Sequence, residues 1–545
     1  MAAITTSSLL AVDIPSSAEP GRLEKRFEKP PTPESKPTKP KEDKKLEQPD
    51  KAKDVNVTLK EVKTEGVTIY KTEELRKLWQ NKIGKQATVK ELYELADAIT
   101  AKYRNDGWIL SQAVLEPQDI TSGTLKIRVI EGFADGVLIE GDMLGYKSFF
   151  DKYITEIKAQ KPLNNSALEK YSLLASELPG ISAKAVIKPS TTTQGASDVV
   201  FVIERKMIDG SMSYDNRGTK TSGPNQLSTS LSMGAPFGLP DKVGISWSTI
   251  PRYPHELNYL SLTDDHIFTA DGLKLSTTLG RSYSHSGGNL EAFELKSKSN
   301  TITTQLSMPL IKSRAKNWSI WSGFNWQNSD STMLGDPNQK DRSRKIRFGS
   351  QYDFSDESGS TTMFNGEYHR GLRILNSTQN GDPFVSRADG NGDYDKLTFD
   401  ITRSQPLPYN LMLTAGISAQ IADKALFSSE EFGYGGANYG RAYDSSEITG
   451  DNGIAGKLEL SYQLGVQIPK VQSISPYVFY DAAQIYDRAN GKSSAASSGF
   501  GVRVNFFEKL SGSLEWTKPL TREVNANTPD NGKKSRVFFS ITGRI

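Results

Sequence analysis

From Asp209 to Ile545 the chain consists of short runs in which apolar and polar residues alternate, with almost no helical periodicity. Leu273, Leu275 and Leu279 alternate with Lys274, Ser276 and Thr278. Trp318, Ile320, Phe324 and Trp326 share a face opposite Ser319, Gly323 and Asn325. Leu411, Leu413, Ala415 and Ile417 oppose Met412, Thr414, Gly416 and Ser418, and Leu458, Leu460, Tyr462 and Leu464 oppose Lys457, Glu459, Ser461 and Gln463. At the end, Val537, Phe539, Ile541 and Ile545 oppose Arg536, Ser540, Thr542 and Arg544. Strand side chains point alternately to two faces, so each run carries one apolar and one polar face. A soluble sandwich with one wet face would alternate too, but soluble sheets of this extent are rare. A wall that is apolar outside and polar inside suits lipid, where open sheet edges cannot be satisfied and the sheet must close. Roughly 340 residues at roughly 20 per strand and connection predict a membrane β-barrel of about 16 antiparallel strands. The mean hydropathy of −0.50 is compatible with this, since only one strand face is apolar.

Ahead of the barrel, a strand–helix–helix–strand–strand unit occurs twice, at a period of about 75 residues. In the first copy Val55–Tyr70 reads as a strand interrupted at Gly66, and Thr72–Ile83 as a helix with Leu75, Leu78 and Trp79 inward. Thr88 and Glu91 form a capping box. The helix it opens carries the stripe Leu92, Leu95, Ala96, Ile99 and Tyr103 and stops at Gly107. Strands follow at Ile109–Leu115 and Thr124–Ile130. In the second copy Val137–Glu140 is the first strand, and Lys147–Gln160 and Ser166–Leu178 are helices, the latter with a Ser166/Glu169 box and a stop at Gly180. Ala183–Lys188 and Val199–Glu204 complete it.

The predicted organisation is an N-terminal segment (1–29), a Pro/Lys-rich linker (30–54), two α+β modules (55–133 and 134–207) and the barrel (209–545). Within the first segment, Pro20–Lys29 reads either as a short amphipathic helix with Leu23 and Phe27 on one face or as an unstructured tail. The linker has almost no large apolar residues, so it buries no core and runs extended. Met1–Val12 lacks a basic n-region and has only a short apolar stretch, so it reads as the remainder of a trimmed chain rather than a full signal peptide.

Chemistry is sparse. The chain has no cysteine, which excludes disulfides and thiol chemistry. His255, His266, His285 and His369 stand in no metal or triad spacing. Asp389-x-Asn391-x-Asp393-x-Asp395 imitates a calcium loop, but Tyr394 occupies the position that needs glycine, so it reads as a polar loop. A net charge of +3 gives no basis for a nucleic-acid partner. Neither an enzyme nor a cofactor is expected.

The run Tyr103–Gly132, with its Tyr-Arg-x-x-Gly-aromatic turn, Pro-Gln pair and closing Val-x-Glu-Gly, resembles the first POTRA domain of two-partner secretion transporters, the TpsB family. Asp215–Gly218 with Gly223 resembles that family's first barrel strand and hairpin, Gly234–Asp241 its first periplasmic turn, and Phe479-Tyr480-Asp481 its strand motif. The family's loop motif, Val-Arg-Gly-Tyr/Phe followed by Gly-Asp-x-Gly, is matched by Gly440-Arg441-Ala442-Tyr443 and Gly450-Asp451-Asn452-Gly453. Ala442 replaces a glycine and is less free at positive φ, which bears on the geometry of the loop tip. Outer-membrane barrels often end in an aromatic residue, whereas this chain ends in Ile545 with Phe539 as the nearest aromatic.

The resemblance implies an outer-membrane transporter with two periplasmic POTRA domains. It would bind the N-terminal secretion domain of one large exoprotein (an adhesin, haemolysin or contact toxin) and pass it through the barrel without ATP. Outer-membrane lipids would surround it, and the barrel assembly machinery would insert it. The family's inward loop would span about Phe432–Asp451, with Arg441 paired to Asp481 beside Phe479, and the plug helix about Ala18–Lys29. The alternative is an outer-membrane protein insertase of the same superfamily, but those carry more POTRA repeats than the two counted here. A diffusion porin would not need the two modules.

Overall fold

The computed structural model describes residues 15–28, 30–36, 56–193, 195–219, 221–465, 468–524 and 533–545. Met1–Val12, read above as a trimmed remainder, and residues 37–54 of the linker lie outside the described residues.

The first module contains β1 (Asn56–Thr58), β2 (Glu61–Glu65), α1 (Thr72–Arg76), β3 (Gln86–Thr88), α2 (Val89–Asn105), β4 (Gln112–Val114) and β5 (Thr124–Ile130). α2 packs Leu92, Leu95, Ala96, Ile99 and Tyr103 against Leu125, Ile127 and Val129 of the β2–β5–β4 sheet. The capping box forms as expected: the Glu91 amide donates to the Thr88 hydroxyl and the Thr88 amide to the Glu91 carboxylate. The helix expected over Thr72–Ile83 ends at Arg76, and a 3-10 turn follows at Gln80–Lys82. The chain must fold back there so that β3 can pair with β1, and Leu75 and Trp79 still reach the core. Likewise the strand expected over Val55–Tyr70 divides at Leu59–Lys60, because β1 and β2 pair with different strands. The strand expected over Ile109–Leu115 narrows to β4.

The second module contains β6 (Ala134–Glu140), α3 (Lys147–Lys158), α4 (Asn165–Ser176), β7 (Gly180–Pro189) and β8 (Ser197–Lys206). The Ser166/Glu169 box does not form. Asn164 caps the helix instead, accepting from the Ser166 amide, and Glu169 turns away to accept from the Arg314 amide at 3.0 Å.

The motif residues of the first module have two structural tasks. Glu131 gathers the end of that module: the amides of Thr68 (2.8 Å) and Ile69 (3.1 Å) donate to it, as do the hydroxyls of Tyr103 (2.7 Å) and Thr68. The Gly107 and Gly132 carbonyls accept from the amides of Asn165 (2.7 Å) and Leu163 (2.9 Å), so the motif also forms the socket for the second module.

Sixteen strands then close into one antiparallel barrel. They are β9 (Ile208–Asp215), β10 (Gln226–Gly234), β11 (Asp241–Thr249), β12 (Asn258–Ile267), β13 (Lys274–His285), β14 (Lys296–Lys312), β15 (Lys316–Met333), β16 (Asp336–Ser355), β17 (Thr361–Gly371), β18 (Asp395–Leu407) and β19 (Leu411–Ala422). A small hairpin, β20 (Phe432–Tyr434) and β21 (Ile448–Gly450), interrupts the series. The wall resumes with β22 (Asn452–Tyr462), β23 (Val471–Asp487), β24 (Gly491–Phe506), β25 (Leu510–Pro519) and β26 (Arg536–Arg544). The apolar positions read from the alternation face outward: Leu279, Trp318, Ile320, Leu458, Leu460, Val537 and Ile541 are all exposed.

β26 meets β9 over only five residue pairs. The Asp215–Gly218 motif reinforces that seam. Asn216 Nδ2 donates to the Val537 carbonyl at 3.0 Å, and the Phe539 amide donates to Asn216 Oδ1 at 2.8 Å, so a side-chain amide continues the ladder.

The second module sits against the short turns at one barrel end. Ala235, Ile267 and Ala270 join its hydrophobic core, and Lys152 and Lys170 pair with Asp271. Gly180 and Gly234 approach so closely that a Cβ on Gly234 would strike the Gly180 backbone, which explains the glycine opening the turn motif.

Burial pushes the Glu131 pKa up, but its four hydrogen bonds outweigh this and hold it below the ordinary glutamate value. A depressed folded pKa contributes stability above the unfolded value and loses it as pH falls through the carboxylate range. Glu131→Gln should therefore cost the first module about 1–2 kcal/mol near neutral pH and much less below about pH 4. Hydrogen exchange of residues 89–105 in the full chain would show faster exchange at pH 7, and equal rates there would contradict this role.

Candidate functional site

The inward faces of a sixteen-strand wall do not fill their own lumen. Two pieces of this chain do: the 423–451 loop between β19 and β22, and residues 15–28 and 30–36 near the N-terminus. Each is held by buried charge.

The loop tip is clamped to the wall by Arg441. Its Nε and Nη2 donate to the two Asp481 oxygens at 3.1 and 3.0 Å, and its own amide adds a third bond to the same carboxylate at 3.1 Å. Nη1 reaches Glu459 at 2.5 Å and lies 3.8 Å from Glu515. The guanidinium lies 3.6 Å from the Phe479 ring centroid. Asp481 is fully buried, and a buried carboxylate is tolerated when paired and hydrogen-bonded, which a planar bidentate cation does best.

The clamp extends into a network along β22–β25 and the Asp215–Gly218 motif. Arg503 pairs with Glu459 at 2.6 Å and stacks on Tyr477. The Tyr477 hydroxyl donates to Glu515 at 2.8 Å, and Arg217 reaches Glu515 at 2.5 Å. The sequence placed Arg441, Phe479 and Asp481 together, but not Glu459, Glu515, Arg503 or Arg217. Their signal was available: each is a charged residue on the polar side of an alternating run or in the Asp215–Gly218 motif.

Tyr443 is buried, and its hydroxyl donates to the Ala496 carbonyl at 2.9 Å. The left-handed residue of the tip is Gly440 (φ 75°), and a Cβ there would press on the Tyr434 ring at 2.7 Å. Ala442 has no positive φ, so its replacement of glycine leaves the tip undisturbed, contrary to expectation.

The second half of the motif anchors the loop's return. Asp451 accepts from Arg387 (2.6 Å) and from the amides of Leu426 (2.7 Å) and Arg488 (2.9 Å). A Cβ on Gly450 would meet Ile485, and one on Gly453 would collide with Phe432. The calcium-like run is consumed by ion pairs: Asp393 with Arg370 and Arg373, and Asp395 with Arg370.

The N-terminal segment threads the lumen. Across residues 20–28, the described part of Pro20–Lys29, the expected amphipathic α-helix does not form. The chain forms successive 3-10 turns at Ser16–Ala18, Pro20–Arg22 and Glu24–Arg26. The segment is held by polar wall and loop groups rather than along one apolar face, which removes the drive for a single helical stripe. Leu23 is fully buried against Ile250 and Leu257, and Phe27 stacks on Tyr259 at 5.1 Å. Arg22 is buried and donates to the carbonyls of Ser428 and Glu431, pairing with the Glu431 carboxylate at 3.7 Å. Next to Glu431 in the seat, Glu430 holds Lys345 (2.7 Å) and Lys396 (2.9 Å) of the wall. Loop and segment therefore pack on one another, and nothing in their local patterning signalled Arg22 or Glu430.

A second feature lies on the second module. Among the described residues β7 pairs only with β8, so one edge is open. Beside it, α4 and β7 enclose a groove of 560 Å³ lined by Leu168, Leu173, Ala183, Ala185 and Ile187.

The haemolysin secretion/activation protein family ShlB/FhaC/HecB matches residues 195–504, and the ShlB-type POTRA domain matches residues 57–132. The heme/hemopexin transporter protein HuxB of Haemophilus influenzae (strain 86-028NP) is 22% identical over 481 residues, covering 86% of this chain and 84% of that protein. The outer membrane transporter CdiB of Dickeya dadantii (strain 3937) is 23% identical over 450 residues, covering 81% and 78%. The solved structure of CdiB from Escherichia coli superposes with a TM-score of 0.68 at 19% identity, covering 92% of each chain.

Removing Arg441 strands the buried Asp481 carboxylate, while Glu459 keeps Arg503 and Glu515 keeps Arg217, a loss of about 3–5 kcal/mol by analogy with broken buried pairs. Arg441→Ala should lower the temperature at which the folded barrel loses its compact gel mobility, and Arg441→Lys should recover little of it, lacking the fork. Gly440→Ala should destabilise, whereas Ala442→Gly should not. Full rescue by lysine, or equal effects at 440 and 442, would contradict the clamp geometry.

Proposed function

Because the chain belongs to the ShlB/FhaC/HecB family of haemolysin secretion/activation proteins, we propose a specific route by which it performs two-partner secretion. It is an outer-membrane β-barrel transporter with an N-terminal POTRA domain. The two modules lie in the periplasm and receive the N-terminal secretion domain of one large exoprotein in unfolded form. The open β7 edge takes a strand of that partner by main-chain pairing, and the α4–β7 groove takes its apolar side chains. The chain then enters the lumen, which the N-terminal segment and the 423–451 loop close at rest. No nucleotide is used, and folding outside the cell gives direction. The barrel assembly machinery inserts the barrel, and lipid covers its apolar wall.

The observation that carries the closure reading is the shared seat: Arg22 of the segment is bound by loop carbonyls, while the loop itself is clamped to the wall by Arg441. The observation that carries the recognition reading is an unpaired strand edge beside an apolar groove.

Comparative proteomics of medium and cell surface tests both. Strains would carry the protein, lack it, or carry Val186→Lys with Ile187→Lys, which places charge on the open edge. One large exoprotein should disappear in both defective strains while other barrel proteins stay level. A joint fall of many barrel proteins would support the insertase instead, and normal secretion by the edge variant would exclude β7 as the docking strand.

A further inference from the structure

The lipid-facing side of the wall changes character at the end away from the modules. The turn between β14 and β15 marks the module end, since the Arg314 amide donates to Glu169 there. From Leu310 to Ile302 the outward positions of β14 are apolar except for Thr304, with the exposed Met308 and Leu306 between. That run is roughly 27 Å along the strand, or about 20 Å across a membrane at a tilt of about 40°, close to the apolar band of a barrel. Its upper edge crosses four strands in register as Leu279, Ile302, Trp326 and Arg344, whose guanidinium lies 4.7 Å from the Trp326 ring centroid.

The next two outward rows are strongly basic. The first is Arg281, Asn300, Asn328 and Arg342, and the second is Tyr283, Lys298, Asp330 and Lys340. Asp330 is the single acid in these rows, and it pairs with Arg342 at 2.6 Å. Arg281, Lys298 and Lys340 are exposed, and among the described residues their side chains have no hydrogen-bond or ion-pair partner. Like charges gathered beside a low-dielectric layer repel one another, so the arrangement favours a bound anion. The β22–β24 wall differs: its outward ends carry the neutral Asn452, Gln484, Tyr486 and Ser494, with Lys492 at the hairpin tip.

We propose that this basic belt on the outward face of β13–β16 binds the phosphates of a phosphorylated glycolipid, the lipid A portion of lipopolysaccharide, whose acyl chains lie on the apolar wall beneath. This rests on the placement of the modules in the periplasm, which puts the opposite end of the barrel in the outer leaflet. Two features select that lipid class. Arg281 on β13 and Lys340 on β16 stand three strand spacings apart, roughly 14 Å, so a headgroup with one phosphate spans part of the belt only. A lipid with two phosphates and several chains reaches both ends and also covers the wall between Leu279 and Ile346. The belt mixes guanidinium forks with ammonium point charges, and both bind phosphate through charge-assisted hydrogen bonds.

Native mass spectrometry of the full chain released from detergent micelles tests the belt, with diphosphorylated lipid A, its dephosphorylated form and phosphatidylethanolamine as probes. The chain should bind diphosphorylated lipid A at least tenfold more tightly than either of the others. Arg281→Gln, Lys298→Gln and Lys340→Gln together should abolish that preference, whereas Lys492→Gln with Lys518→Gln should leave it unchanged. Equal binding of the phosphorylated and dephosphorylated lipids by the unaltered chain overturns the belt whether or not the triple variant folds. So does an undiminished preference in a triple variant that keeps the compact gel mobility of the folded barrel, and in both cases the secretion reading stands. Asp336→Cys gives the chain, which has no cysteine of its own, a single thiol at the β15–β16 tip. A membrane-impermeant maleimide should label it on intact cells. Labelling only after permeabilisation would overturn the placement of the modules, and the lipid A assignment with it.

Discussion

A sixteen-strand barrel encloses more space than its own inward side chains occupy, and the rest of this structure is arranged around what fills that space. An eight-strand wall fills itself with side chains, whereas one twice as large leaves a water-filled channel. Here the filling is chain: a loop from the far end and a segment threaded from the N-terminus. Neither contributes to the wall's hydrogen-bond ladder, so both are removable in principle without opening the sheet.

What retains them is buried charge rather than apolar packing. The apolar contacts of the segment are few, chiefly Leu23, Phe27 and Ala18. Arg22 on the loop carbonyls, Glu430 between Lys345 and Lys396, and Arg441 on Asp481 supply the specific geometry. Buried ion pairs contribute modest net stability because desolvation offsets their attraction, yet breaking one side is costly. That combination suits a closure that stays put while intact and comes apart as a unit once one contact is withdrawn. The Arg441 clamp sits apart from the segment's seat, so the loop can hold its place on the wall while the segment departs.

The wall was legible because alternation is a local signal: Trp318, Ile320, Leu458 and Ile541 fell on the outward face where period two placed them. The clamp was legible only through family resemblance, since Arg441 in the loop and Asp481 on β23 lie 40 residues apart and no local pattern joins them. Arg22 was hidden for a related reason. A helical stripe was expected from Leu23 and Phe27, but wall and loop contacts broke the segment into 3-10 turns. The Ser166/Glu169 box failed because Asn164, one residue before the helix, offered a better cap and Arg314 drew Glu169 away. Ala442 looked like a defect until Gly440 proved to be the residue at positive φ.

On the proposed route the segment and the loop together close the lumen and must part for a polypeptide to pass. The Ser16 and Thr449 hydroxyls lie 3.5 Å apart across that contact, and the chain has no cysteine of its own. A Ser16→Cys, Thr449→Cys pair would therefore form a single reversible tether. Secretion of the partner exoprotein should stop when the pair is oxidised and return on reduction, with each single variant secreting normally throughout. Undiminished secretion by the oxidised pair would contradict the account.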